Sequence, residues 1–289
     1  MALKGKSFFT DPIFKVTKKD RDILSRSYFS HHAGKFKGWY ADDVKNTLKE
    51  DPSMWNALID NGYVKDGEIE WPIYDINDLG FRSPDWLSGN KGAIFLGCSD
   101  MFGIGNYIED TCSQIISNHL NVTNYNLAIP GGGLDQAYRV LKYHIEDINA
   151  DYVFLLIPEP SRRELYTDVQ SVLLSPASFD YHHTTKLQLG NYFDYKKLEE
   201  VYFGLLCDEK YLLMETNKSL DAIQHLCNEN NKKLITVKNP VYFTNKESFE
   251  IKREAVKGIL GERNDLACDL VHMGKKFQKI IANLLMEKL

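Results

Sequence analysis

The chain has 289 residues, 43% hydrophobic and 26% charged, with a formal net charge of −5. That length carries one large α/β domain or a domain with a smaller appendage, and the composition supports an ordinary core, which excludes wholesale disorder. A net negative surface repels phosphate backbones and no basic patch offsets it, so nucleic acid is not expected as a partner. Five cysteines, at 98, 112, 207, 227 and 268, form no CxxC pair and have no histidine at ligand spacing. Such a scattered, odd set points to reduced, mostly buried thiols rather than a disulfide framework or a metal site. The opening MALKGKSFFTDPIF lacks the apolar core and cleavage site of a secretory signal, and no stretch approaches the roughly 20 apolar residues of a membrane span. The expectation is a soluble, cytoplasmic protein without a membrane partner.

Residues 1–75 are charged and aromatic with few clean periodic segments. Asp42 and Asp43 favour a helix N-terminus, which predicts a short helix through Glu50, and the DPSMW that follows marks a break. The stretch reads as an N-terminal extension packed on a neighbour, leaving 76–289 as the main domain. From about residue 91 short apolar runs alternate with amphipathic helices. Residues 93–96 are an apolar strand ended by Gly97, and 106–120 read as a helix with Ile108, Cys112, Ile115, Ile116 and Leu120 on one face. A second strand is expected over 122–128, ended by Pro130 and three glycines. A helix over 135–149 carries Ala137, Val140, Leu141, Ile145 and Ile148 inward, with Asp135 at its start. Residues 152–157 form a continuous apolar strand, as when both faces of a sheet are covered. An irregular insert at about 161–210 is rich in aromatics. A helix over 212–228, a strand over 233–237, a helix over 249–260 and a terminal helix over 274–289 complete the chain. This alternation implies a doubly wound parallel sheet with right-handed crossovers.

In such a sheet, ligands bind beyond the carboxyl ends of the strands. Those ends carry Gly97-Cys98-Ser99, then Asn126 followed by Gly131-Gly132-Gly133, then Pro158-Glu159-Pro160-Ser161-Arg162; Asp269-Leu270-Val271-His272 lies before the last helix. A serine hydroxyl needs a base to take its proton, and the base needs a carboxylate on its other nitrogen. Asp269 and His272, three residues apart, can face one way from a single turn, although either Asp265 or Asp269 could instead cap the last helix. Ser99, at a strand end before a helix, adds its own N–H to an oxyanion hole, and Gly131 can bring another close because it has no Cβ.

These segments resemble the SGNH/GDSL hydrolases. Gly97-Cys98-Ser99 with Gly103 matches the block of the signature serine, Asn126 with Gly131 the second block, and Asp269 with His272 the late D-x-x-H block. Asn77-Asp78-Leu79-Gly80-Phe81-Arg82 resembles the N-x-x-G-F-R lead-in found upstream of that serine. The resemblance covers about 76–163 and 230–289 and implies a three-layer α/β/α flavodoxin-like fold. It implies an esterase without metal or organic cofactor, acting on a small-molecule or carbohydrate ester, with Ser99 as nucleophile, His272 as base and Asp269 as orienting acid. Family spacing favours Gly131 among the three glycines as the second oxyanion donor. Two departures stand out: Cys98 replaces the usual Asp, and the third block, Pro158 to Ser161, has no Asn to offer the oxyanion. Losing one such donor costs roughly 10²–10³ in rate, and Ser161 and Arg162 are the candidate substitutes. The missing Asn also suits an alternative, a catalytically decayed member with a binding or structural role.

Other readings are weaker. Gly103 and Gly105 begin a G-x-G-x-x-G pattern, but Ile108 holds the third glycine's place. Met101 breaks the G-x-S-x-G elbow. Cys98 is a rival nucleophile, yet neighbouring side chains point apart and only one of Cys98 and Ser99 can face His272. His182 and His183 lack further ligands and read as loop residues. The aromatics Phe179, Tyr181, Tyr192, Phe193 and Tyr195 pack the insert or stack on sugar rings, and the insert serves as a lid or a fixed wall. The charges in the run 18–22 read as a solvated face.

Overall fold

The computed structural model describes residues 22, 24–27, 30, 32–86, 89–166, 171–175, 195–239 and 265–289. β1 (Gly34–Lys37) leads into α1 (Ala41–Glu50) and α2 (Met54–Asp60), the latter following the break at 51–53. β2 (Val64–Lys65) and β3 (Glu68–Ile69) form a small hairpin, and β4 (Ile73–Ile76) returns antiparallel to β1. The next unit contains β5 (Gly92–Leu96), α3 (Ser99–Phe102), α4 (Cys112–Leu120), β6 (Thr123–Asn126), α5 (Leu134–His144) and β7 (Ala150–Ile157). Then come β8 (Arg163–Tyr166) and β9 (Ser171–Leu174), paired antiparallel, α6 (Tyr195–Val201), α7 (Glu209–Glu229), β10 (Lys233–Lys238) and α8 (Lys275–Met286).

The central sheet is wholly parallel with the order β10-β7-β5-β6. Side chains alternate between its faces, as strand geometry requires. Ala93, Phe95, Phe154, Leu156, Ile235 and Val237 pack with α4 and α8 on one side. Ile94, Leu96, Val153, Leu155 and Ile157 pack with α5 and α7 on the other. The expected three-layer α/β/α architecture is therefore present. Strand order reverses between β5 and β7, so the loops after these two strands flank the crevice where ligands bind in such sheets.

Element boundaries moved where a side chain competes with the apolar period. The helix expected over 106–120 begins only at Cys112, because Thr111 is extended and its hydroxyl accepts the N–H of Gln114. Asn106 is meanwhile drawn inward, donating to the carbonyls of Ile104 and Met273, 3.0 Å each. The strand expected over 122–128 stops at Asn126, whose side chain accepts the Ala128 N–H and donates to Met101 O and Ser113 Oγ. The helix expected over 135–149 ends at His144, with Ile145 and Ile148 still buried in the turns beyond. α7 starts three residues earlier than expected, because Asp208 caps it by accepting the N–H groups of Lys210 and Tyr211. Phe179, Tyr181, Tyr192, Phe193, His182, His183, the charges at 18–21 and the helix expected over 249–260 lie outside the described residues. No helix among the described residues is long and apolar enough to cross a membrane.

The lead-in to β5 has a structural task. Asn77 Oδ1 accepts the N–H groups of Leu79 and Phe81, turning the chain so that Arg82 enters the core. The buried guanidinium donates to the carbonyls of Phe102, Gly103, Ile73 and Asn106 and lies 4.6 Å from the Tyr74 ring. It thus closes the C-terminal end of α3, the helix that Ser99 opens. Burial pulls its pKa down to about 10, which leaves it charged at neutral pH. Arg82→Ala strands several buried carbonyls, so urea unfolding is expected to show a loss of about 3 kcal/mol or more. Arg82→Lys should recover only part of this, since a point charge cannot serve the same fan of acceptors.

Candidate active site

Cys98 is extended (φ −107, ψ −151) and Ser99 is the first residue of α3. A first-turn N–H has no carbonyl one turn back, and the Ser99 N–H donates to no acceptor among the described residues. Ser99 is 5% exposed and Cys98 fully buried. After β6 the chain turns through Gly131 at φ 74, a left-handed conformation that favours glycine. The Gly131 N–H also lacks an acceptor among the described residues, whereas the Gly132 N–H is taken by Ile129 O.

The Asp-x-x-His segment closes into a single turn. Asp269 Oδ1 accepts the N–H groups of Val271 (3.3 Å) and His272 (3.0 Å), and Asp269 Oδ2 lies 2.5 Å from His272 Nδ1. A carboxylate only accepts, so Nδ1 carries the hydrogen and the Nε2 of neutral His272 is left as the basic nitrogen. Asp265 accepts the N–H groups of Lys276 and Phe277 in the first turn of α8, while Asp269 meets His272. Gly105 permits this close packing. At φ 71, a Cβ there would stand 2.6 Å from Ala267 Cβ and 2.9 Å from Asp269 Oδ1.

Charge shapes both members of the pair. Burial alone would raise the Asp269 carboxyl, but the His272 ring and the two backbone N–H groups hold it below the usual range. Burial alone would lower His272, yet Asp269 and the nearby Asp100 outweigh it, with Arg162 opposing, and the net shift is upward.

Of the other expected residues, Arg162 is brought near enough for its charge to be felt at His272, and its Nε lies 3.5 Å from Glu159 Oε2. The Ser161 hydroxyl donates to Glu159 Oε1 at 3.0 Å. Asn126 acts as a brace for the loop after β6. Among the described residues no hydrogen bond joins Ser99 Oγ to His272. Two surface depressions of about 450 and 240 Å³ lie elsewhere, one around Asn90, Lys91 and Thr123 at the amino edge of the sheet, the other around Leu24, Tyr138 and Arg139.

Three neighbours of the site escaped the sequence reading. Asp100, buried beside Ser99, accepts from Asn239 Nδ2 at 2.6 Å, and Asn239 stands just past β10. Tyr40 brings its ring centroid to 6.4 Å from that of His272. The sequence signal for Asp100 was a charge inside an otherwise apolar block; Tyr40 and Asn239 carried none.

The arrangement defines a class: a doubly wound α/β domain with an Asp–His pair and a helix-start serine on loops flanking one parallel sheet. No protein-family model matches the chain, and no curated protein matches it. Among solved structures it is similar to a psychrotrophic esterase from Pseudoalteromonas sp., at 15% identity over 69% of this chain and 96% of that chain, with a TM-score of 0.37. It is also similar to a lipase/acylhydrolase from Enterococcus faecalis (13% identity, 68% and 94%, TM-score 0.30). A third is an acetylxylan esterase from Geobacillus stearothermophilus (13% identity, 69% and 94%, TM-score 0.29).

Two outcomes check the geometry. In an NMR titration, the His272 ring should have its midpoint above 6.5, and Asp269→Asn should move it down, because burial is then opposed by Asp100 alone. Gly105→Ala should cost about 2 kcal/mol in thermal unfolding, through both its φ and the contact with the Asp269 turn.

Proposed function

We propose that the chain is a serine hydrolase of the SGNH/GDSL type that cleaves an ester, a carbohydrate O-acetyl ester, through an acyl-enzyme on Ser99. The observation that carries this reading is the Asp269–His272 pair, with Nδ1 committed to the carboxylate and Nε2 left basic, on the same parallel-sheet scaffold as two N–H groups that have no acceptor among the described residues. Residues 76–289 form the hydrolase domain in this reading, and 1–75 an extension packed on it.

Ser99 Oγ attacks the ester carbonyl while His272 Nε2 takes its proton, and Asp269 steadies the imidazolium. The proton passes to the leaving alcohol, and water then releases the acyl group by the same steps. The N–H groups of Ser99 and Gly131 hold the oxyanion. Ser161 and Arg162 are the two candidates for the third donor, and both engage Glu159. Substrate binding must draw Ser99 Oγ and His272 into hydrogen-bond reach, a tightening that is common between free and occupied sites.

A second reading, a decayed member that binds a partner, is favoured by the missing third-block Asn and by the absent Ser99–His272 hydrogen bond. One experiment separates the two: p-nitrophenyl acetate turnover and labelling by a serine-directed phosphonate, beside Ser99→Ala. Wild-type turnover is expected, with kcat falling roughly 10⁴-fold or more in the variant and labelling abolished. Arg162→Ala should lower kcat by roughly 10²–10³ if it serves the oxyanion. A folded wild-type protein that neither labels nor turns over would favour the binding reading.

A further inference from the structure

An aromatic ring of the N-terminal segment, Tyr40, lies beside the Asp269–His272 pair, its centroid 6.4 Å from that of His272. Tyr40 precedes α1 with φ 66 and ψ 15, a left-handed conformation that glycine or asparagine adopts far more readily than an aromatic residue. Strain of this kind persists where the surroundings over-determine it, and it clusters at functional positions. Here the surroundings are visible. The Tyr40 ring lies parallel to Trp39, with centroids 5.7 Å apart and planes at 3°. Trp39 in turn meets Tyr74 and Phe102 edge-on, at 5.2 and 5.8 Å. Phe102 closes the four-residue helix that Ser99 opens, so the aromatic stack runs from the serine helix to the histidine.

Tyr40 and His272 are both partly buried, and the His272 side chain keeps 21% of its surface exposed. The Tyr40 hydroxyl makes no hydrogen bond among the described residues. Burial, Asp269 and Asp43 push its pKa up to about 12, so it remains a neutral phenol able both to donate and to accept. The backbone donors for the carbonyl oxygen belong to Ser99 and Gly131, whereas the group beside His272 is the alcohol that receives its proton. An alkyl chain there would leave the phenol hydroxyl without a partner, which is unfavourable. A sugar ring meets both needs, its C–H face against the aromatic ring and its hydroxyls toward the phenol.

We propose that Tyr40 is a specificity-determining residue, its ring and hydroxyl forming the subsite for a sugar leaving group beside His272. The inference rests on the hydrolase reading above. Its test is a binding measurement on protein that cannot turn substrate over: calorimetry of Ser99→Ala with acetylated xylobiose, against Ser99→Ala/Tyr40→Phe and Ser99→Ala/Tyr40→Asn. Affinity should fall about threefold for Phe, which loses one hydroxyl contact, and about tenfold or more for Asn, which loses the ring as well. Phe keeps the ring and its stack on Trp39, so its loss of affinity should come without a matching fall in melting temperature. A residue with only a structural role would move the two together. Equal affinity in all three proteins, or no binding of acetylated xylobiose to Ser99→Ala, overturns the proposal. Wild-type turnover of p-nitrophenyl acetate is read separately, so failure of the hydrolase reading is told apart from failure of this subsite.

Discussion

A carboxylate almost wholly removed from water stays charged only if donors meet it on every side, and Asp269, 3% exposed, finds three of them within the next three residues. That supply exists only if residues 269–272 fold into one tight turn. The turn requires Leu270 at φ 59, a conformation costing a β-carbon residue roughly 1–2 kcal/mol. The loop around it supplies the restraint. Ala267 donates to His272 O, Cys268 donates to Gly105 O, Leu266 bridges Met273, and Asp265 fastens the far end to α8. Strain at one residue is thus offset by bonds at its neighbours.

Packing completes that restraint from far away in the chain. Leu266, Cys268 and Leu270 are buried against Val44, Leu58 and Tyr63 of the N-terminal segment. Each fully buried leucine contributes roughly 1.5–3 kcal/mol, enough for one such contact to balance the backbone strain at Leu270. The Tyr63 hydroxyl donates to Asn106 Oδ1, and the Asn106 amide donates to Met273 O, tying the same segment to both sides of the turn. The serine side is braced likewise, with Arg82 gathering the carbonyls at the end of α3. The site residues are therefore held by packing from segments distant in the chain, Val44, Leu58, Tyr63 and Arg82 among them.

This division explains what was legible in the amino-acid order. The four parallel strands and their flanking helices announce themselves through apolar period, because a residue's face on a strand or helix depends on its near neighbours alone. The Asp269–His272 pairing was legible for the same reason: three residues in one turn are a local matter. The role of Arg82 was not, although the motif containing it stood out, because its four acceptors lie up to 24 residues away. Tyr40 and the packing of Leu58 and Tyr63 under the Asp269 turn span more than 200 positions and leave no periodic trace. Helix starts failed where a polar side chain, Thr111 or Asp208, ended or opened a helix against the hydrophobic pattern.

Around His272 the charges oppose one another in a way that bears on catalysis. Burial and the Arg162 guanidinium favour the neutral ring, while Asp269 and Asp100 favour the imidazolium and prevail. A base with a raised pKa accepts the serine proton more readily but is free to do so only at higher pH. In the proposed reaction, imidazolium and oxyanion appear in the same step. Asp269, bonded to Nδ1, favours the first, and Arg162 opposes the first by the same field with which it favours the second. The guanidinium therefore aids the transition state only if it stands closer to the oxyanion than to the ring. Its attachment just past β7, across the switch point from Ser99, is the side of the crevice from which such a donor would reach.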